Sequence, residues 1–294
     1  MEILLATSGE YIKVHFNAFW QGFDEKPRSY FINILKAVYN KNVVESNERD
    51  SHILIESVFG NTKIHVKKWL QTYHYSGEPF DRLNVNKYTV SLSGRPDGYF
   101  GNNIGTPLYG LYLWTIPTIP DIINYIPKMP LKDVVCLISN PNGYERNRFL
   151  NELDKHFNVT YAGRFKNNTN GPLPYDYGTT EFTRYISQFK FVITMENNSH
   201  EHYVTEKIFH GISAGTIPIY WGSSSVGSYI NLERILHLTD LSQTANIISR
   251  MKEIATDENL WCSIVSKPWK APGKSQPTIE YTASKIRDFL KISL

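Results

Sequence analysis

The sequence predicts an α/β protein of two domains, and three observations carry that prediction. Residues 133–255 alternate short apolar runs with segments of helical apolar spacing, the pattern of a parallel sheet covered on both faces. The chain has 294 residues, more than one hydrophobic core usually serves. Prolines 117, 120, 127 and 130 gather between the halves and mark a passage. The expected division is one domain over 1–130, a second over 131–275 and a terminal helix over 276–294.

In order, Ile3-Leu-Leu-Ala reads as a buried strand and residues 29–40 as a helix, with Phe31, Ile34, Leu35 and Val38 on one face. Residues 53–59, 69–75 and 88–92 read as strands, and Ser76-Gly-Glu-Pro-Phe as a turn. The stretch 94–130 gives no clear assignment. Beyond it come strand 133–139, a helix carrying Phe149, Leu150, Leu153 and Phe157, strand 159–163, and a helix carrying Phe182, Tyr185, Ile186 and Phe189. Strand 191–195, helix 205–214, strand 216–221 and helix 241–255 complete the alternation, with Gly215 ending its helix in a left-handed position. The tail 278–294 sets Ile279, Ala283, Ile286, Phe289 and Leu290 on one face and is expected to dock on the body.

A composition of 41% hydrophobic, 14% aromatic and 20% charged residues excludes a disordered chain. With 31 Lys+Arg against 28 Asp+Glu, no nucleic-acid partner is expected, and an anionic ligand must be met by a few chosen charges. Cys136 and Cys262 sit among apolar residues and read as thiols of a reducing compartment. No apolar run approaches the ~20 residues of a spanning helix, and Glu2 stands where a signal peptide is basic. The expectation is a soluble, cytoplasmic protein.

In open α/β sheets, ligands bind beyond the carboxyl ends of strands. Two strand-to-helix loops carry charges there. Asn140-Pro-Asn-Gly-Tyr-Glu-Arg146 offers backbone N–H groups, a helix start and a guanidinium, all suited to phosphate. The second, residues 196–207, places Thr205 as N-cap and Lys207 in the first helical turn. A lysine there opposes the helix dipole and calls for an anion. His200-Glu-His202 reads as a polar loop, and no metal site is expected.

The run Phe189-Lys-Phe-Val-Ile-Thr-Met-Glu196-Asn-Asn-Ser-His-Glu-His-Tyr203-Val-Thr-Glu206-Lys207-Ile, continued by Ala214-Gly-Thr-Ile-Pro-Ile-Tyr-Trp-Gly222, resembles the donor-binding signature of the α-1,3/1,4-fucosyltransferases, glycosyltransferase family 10. Ser139-Asn-Pro-Asn-Gly-Tyr-Glu-Arg146-Asn resembles the stretch that opens the family's nucleotide domain. Ser76-Gly-Glu78-Pro resembles the turn that holds its acceptor-side carboxylate, and Ser93-Gly-Arg95-Pro-Asp the stretch after it. The resemblance is dense over 134–222 and collinear but sparse over 70–115.

The resemblance implies a GT-B fold, two Rossmann-like domains facing across a cleft. It also implies a GDP-fucose donor, an oligosaccharide acceptor such as a Lewis-type glycan precursor (O3 of GlcNAc or Glc), inverting transfer, and no metal or other cofactor. Carried over residue by residue, Arg146 and Lys207 stabilise the leaving diphosphate, and Glu78 is the general base. Asn197, Tyr203, Glu206, Tyr177 and Arg95 fall to donor binding.

Met195-Glu-Asn-Asn198 departs from the family's Phe-Glu-Asn-Ser. A Golgi anchor and a heptad tail are not visible, so the chain is similar to the soluble microbial or viral branch. Any membrane contact, through Lys285, Arg287 and Lys291, is at most peripheral. Two alternatives stay beside this reading: a GT-B transferase with another nucleotide-sugar donor, or a non-catalytic nucleotide-sugar or glycan binder.

Overall fold

Tyr11-Ile-Lys-Val-His-Phe-Asn alternates apolar and polar side chains, and in the computed structural model, which describes residues 11–115, 119 and 126–292, it forms strand β1 (Tyr11–Asn17) with Ile12 and Val14 buried. The strand expected at Ile3–Ala6 lies outside the described residues. Five further parallel strands join β1: β2 (Asn42–Glu45), β3 (Ile53–Glu56), β4 (Gln71–Ser76), β5 (Val90–Ser93) and β6 (Asn103–Gly105). Their order is β2-β1-β3-β4-β5-β6. Helix α1 (Glu25–Tyr39) starts at Asp24, whose carboxylate accepts from Lys26 N at 3.2 Å, and ends at Asn40 with φ 49°. It buries Tyr30, Phe31, Ile34, Leu35 and Val38 against Ile12, Ile53, Tyr73 and Val90. Helix α2 (Tyr109–Thr115) and strand β6 lie in the stretch 94–130, whose spacing predicts no element.

The second sheet contains β7 (Lys132–Cys136), β8 (Val159–Tyr161), β9 (Phe189–Ile193), β10 (Ile217–Tyr220) and β11 (Leu236–His237). All run parallel, in the order β11-β10-β9-β7-β8. Its connecting helices are α3 (Tyr144–Leu153), α4 (Thr180–Ile186), α5 (Lys207–Ser213), α6 (Thr244–Thr256) and α7 (Glu258–Val265). Successive strand residues face opposite ways, so Val134 and Cys136 join the core under α3, α6 and α7, whereas Val135 and Leu137 join the one under α4. Both faces are covered, as a parallel sheet requires. Gly215, at φ 67°, ends α5 in the left-handed position.

The chain divides into two compact units. One comprises residues 1–115, 200–203 and 275–294, the other 116–199 and 204–274. The described part of the proline-rich passage therefore goes with the second unit. A four-residue piece of the connection after β9 goes with the first. Helix α8 (Ile279–Leu290) also belongs to the first unit, where Ala283 and Ile286 enter the α1 core. Among the described residues no helix is long and apolar enough to cross a membrane.

Candidate active site

In the second sheet the strand order reverses between β7 and β9, which makes the loops leaving those two strands the site a doubly wound sheet offers to a ligand. Residues 137–143 lead from β7 into α3, and residues 194–206 from β9 into α5.

Arg146, in the first turn of α3, is fully buried. Its Nη2 donates to Asn140 O at 2.6 Å and Asn142 O at 2.9 Å, and its Nη1 to Asn197 Oδ1 at 2.6 Å. One guanidinium thus closes the first loop and fastens it to the second. A Cβ on Gly143 would stand 2.9 Å from the guanidinium carbon, so glycine is what lets Arg146 fold back over its own loop. Burial lowers the Arg146 pKa, with Glu196 acting against that change from a distance. No carboxylate among the described residues forms an ion pair with it.

On the second loop, Glu196 is fully buried and accepts from Thr205 N at 2.8 Å, Thr205 Oγ1 at 2.8 Å and Lys207 Nζ at 3.1 Å. Lys207 also reaches Thr205 Oγ1 at 3.1 Å and Glu206 Oε1 at 3.7 Å. Two acids therefore share one ammonium, and their environments pull them apart. Burial raises the Glu196 pKa against the pull of Lys207. For Glu206 burial acts in the same direction, but Lys207, His210 and hydrogen bonds outweigh it and the pKa is lowered. Burial brings His210 down to about 4. Tyr177 stacks on His210 with ring centroids 5.0 Å apart, and Glu206 adds to the burial that raises its hydroxyl pKa.

The structure corrects one argument made from sequence. Helix α5 begins at Lys207, with Glu206 rather than Thr205 in the cap position, and the anion that answers Lys207 is supplied internally by Glu196. The anomaly of a lysine at a helix start does not by itself require a phosphate.

Of the residues singled out from sequence, Arg146, Asn197, Glu206, Lys207 and Tyr177 lie in this unit, where Arg146 bonds Asn197, Lys207 pairs with Glu206 and Tyr177 stacks on His210. Glu78, Arg95 and Tyr203 belong to the other unit. There Glu78 follows β4, its N–H bonded to Ser76 Oγ at 3.3 Å. Arg95 is spent on Asp81 Oδ2 at 2.9 Å, His200 Nδ1 at 3.1 Å and Pro79 O at 3.4 Å. Tyr203 is only 3% exposed and packs against Gly94, where a Cβ would stand 2.9 Å from its Cα, so its ring presents no open face. Sequence reasoning assigned no role to Glu196 or His210, took Thr205 only as an N-cap and His200 only as part of a polar loop. The signal for Glu196 was an acid directly after the apolar run Phe191-Val-Ile-Thr-Met195.

The family model of glycosyltransferase family 10 (fucosyltransferase), C-terminal part, matches residues 128–285, more than half of the chain. The chain belongs to glycosyltransferase family 10. Among curated relatives, it is 30% identical over 126 residues to a putative fucosyltransferase of Acanthamoeba polyphaga mimivirus, covering 41% of this chain and 21% of that protein. It is 32% identical over 127 residues to the alpha-(1,3)-fucosyltransferase of Helicobacter pylori, covering 43% of this chain and 25% of that protein. The matched stretches thus span about a fifth to a quarter of these relatives' length. A crystal structure of an alpha1,3-fucosyltransferase with GDP is similar over 98% of this chain and 93% of that one, with a TM-score of 0.69 at 19% identity. Its counterpart with GDP-fucose gives 0.68 at 18%, over the same shares. At that identity the likeness establishes the fold, which is the α/β GT-B type with two Rossmann-like domains.

Proposed function

We propose that the chain transfers L-fucose from GDP-fucose to a hydroxyl of an oligosaccharide acceptor, forming an α-1,3 linkage with inversion and without a metal ion. The observation that carries the donor half is Arg146, a fully buried cation at the β7/β9 switch point with no carboxylate paired to it among the described residues. A buried charge without a counter-ion costs several kcal/mol, which an anionic ligand recovers. Lys207 adds a second cation on the neighbouring loop. The nucleotide identity and the sugar come from family 10 membership and from the likeness to a fucosyltransferase solved with GDP-fucose.

In this reading the acceptor hydroxyl attacks the anomeric carbon, the bond from that carbon to the β-phosphate oxygen breaks, and GDP leaves with the electron pair. Glu78 takes the hydroxyl proton. Charge grows on the diphosphate as the bond lengthens, and Arg146 and Lys207 meet it with fixed positive charge, the work a divalent cation would otherwise do. Asn197, Glu206 and Tyr177 supply polar and aromatic contacts to the donor.

The test is GDP release in excess EDTA with GDP-fucose and lactose or N-acetyllactosamine, beside UDP-galactose, UDP-glucose and GDP-mannose. Acceptor-dependent turnover with GDP-fucose alone is expected, with NMR of the product giving linkage and anomeric configuration. Turnover only with another donor, or only after a divalent metal is restored, overturns the corresponding part. Absence of GDP binding by calorimetry overturns the donor site itself.

A further inference from the structure

The loop that carries Glu78 is held on both sides. Upstream, Ser76 Oγ accepts from Glu78 N at 3.3 Å and donates to Phe80 O at 2.6 Å. Downstream, the carbonyl of Pro79 receives two donors, His200 Nε2 at 3.1 Å and Arg95 Nη2 at 3.4 Å. Proline fixes its own φ near −65°, so anchoring its carbonyl removes the remaining soft torsion next to Glu78. Asp81, two residues on, is held by Arg95 Nε at 2.9 Å, and the Arg95 guanidinium lies 5.3 Å from the ring centre of Tyr99.

Arg95 and His200 also bind each other, with Nη1 to Nδ1 at 3.1 Å. A guanidinium can only donate, so Nδ1 of His200 must present its lone pair, and Nε2 then carries the hydrogen given to Pro79 O. The two contacts together specify one neutral tautomer. A second proton on His200 would set N–H against N–H and release the pair. Among the described residues, the groups facing His200 include Arg95 and, edge-on at 6.0 Å between ring centres, Tyr203. Asp81 stands behind Arg95.

His200 comes from the same connection that carries Asn197, Glu206 and Lys207. We infer that Arg95 and His200 are positioning residues for Glu78: they aim the candidate base by holding the Pro79 carbonyl, and the connection that bears the donor residues supplies one of the two hands. This rests on the assignment of Glu78 as base, and it moves Arg95 from donor binding to the base loop.

The test compares wild type, E78A, R95K, H200A and H200Q by kcat, acceptor KM and calorimetric GDP affinity between pH 5.5 and about 8, the range in which a histidine gains its second proton. A base misplaced by about an ångström loses on the order of 100-fold in rate. H200A and R95K are expected to lower kcat by roughly 10–100-fold, with GDP affinity within about twofold of wild type. Glutamine offers a carbonyl to Arg95 and an N–H to Pro79 O, so H200Q should recover most of kcat, and its rate should fall less than that of wild type on the acid side. Wild-type kcat in H200A while E78A is inactive overturns the inference. So does a parallel loss of GDP affinity, which would make His200 a donor-loop residue, or an H200Q as slow as H200A. An active E78A removes the base assignment and this inference with it.

Discussion

Arg146 Nη1 lies 2.6 Å from Asn197 Oδ1, and that bond joins the loop leaving β7 to the loop leaving β9 at the point where the strand order of the sheet reverses. Three of the Arg146 hydrogen bonds go to uncharged oxygens, so its charge is held in place without being neutralised. The guanidinium fastens the two loops, and no carboxylate pairs with it among the described residues.

Replacing Arg146 should therefore harm binding and stability together. R146A strands Asn140 O, Asn142 O and the Asn197 amide, and a stability loss on the order of 2–4 kcal/mol is expected from denaturant unfolding. R146K restores the charge but cannot reach three acceptors with one ammonium. It should fold better than R146A and still lose on the order of 10²–10³ in kcat.

The buried Glu196 makes Lys207 a stability residue besides the catalytic role proposed for it. K207A leaves a fully buried carboxylate without its cation, a loss of about 2–4 kcal/mol, less than for a wholly buried pair because Lys207 is 21% exposed. The double variant K207A/E196Q should regain most of that stability and none of the activity. Equal stability of K207A and wild type in urea melts would refute this coupling.

Gly222 tests how tightly Glu196 is seated. A Cβ there would stand 2.6 Å from Glu196 Cγ, and Glu196 cannot swing aside without breaking its three hydrogen bonds. G222A is expected to cost on the order of 1–3 kcal/mol and to weaken GDP binding through Lys207. Unchanged melting and GDP affinity would place Glu196 in a looser setting than the one described.

Two buried histidines set an acid limit to stability. Burial lowers His74 to about 3 and His210 to about 4, both below the ordinary 6.5. The unfolded chain then binds protons that the folded chain refuses. The stability they contribute is full above the unfolded value and is lost as pH falls toward the folded one. Between pH 6.5 and 4 each should subtract about 1.4 kcal/mol per pH unit. Glu196, with its raised pKa, works the other way and is relieved by acid; Glu206, with its lowered pKa, stabilises until pH falls through its folded value. Chemical unfolding at stepped pH should give a shallower slope in H74N, whose replaced ring is hydrogen-bonded to Ser91 Oγ, 3.0 Å away.

Much of the second half was legible because its longer strands are short apolar runs and most of its helices show a buried stripe, as in Phe149, Leu150 and Leu153, although helix α7 went unread. Strand β1 was passed over, since its charged and polar alternate residues left only Ile12, Val14 and Phe16 to mark it. Strand β11 is two residues long and carries no period at all. Glu78, Arg146 and Lys207 could be singled out because they stand in a recognisable order beside turn residues. Glu196 and His200 could not, because their partners, Lys207 and Pro79, are respectively 11 and 121 positions away.

By itself the sequence determined the alternation of strands and helices, the family and the residue types offered at two strand ends, because these follow from local spacing and ordered motifs. Only the tertiary structure decided which charges are spent and which are free to act. Arg146 is buried with no carboxylate paired to it among the described residues, Lys207 is answered by Glu196, and Arg95 is turned to the Glu78 loop. Charge compensation depends on distances of a few ångströms between residues far apart in the chain, and no local pattern encodes those distances.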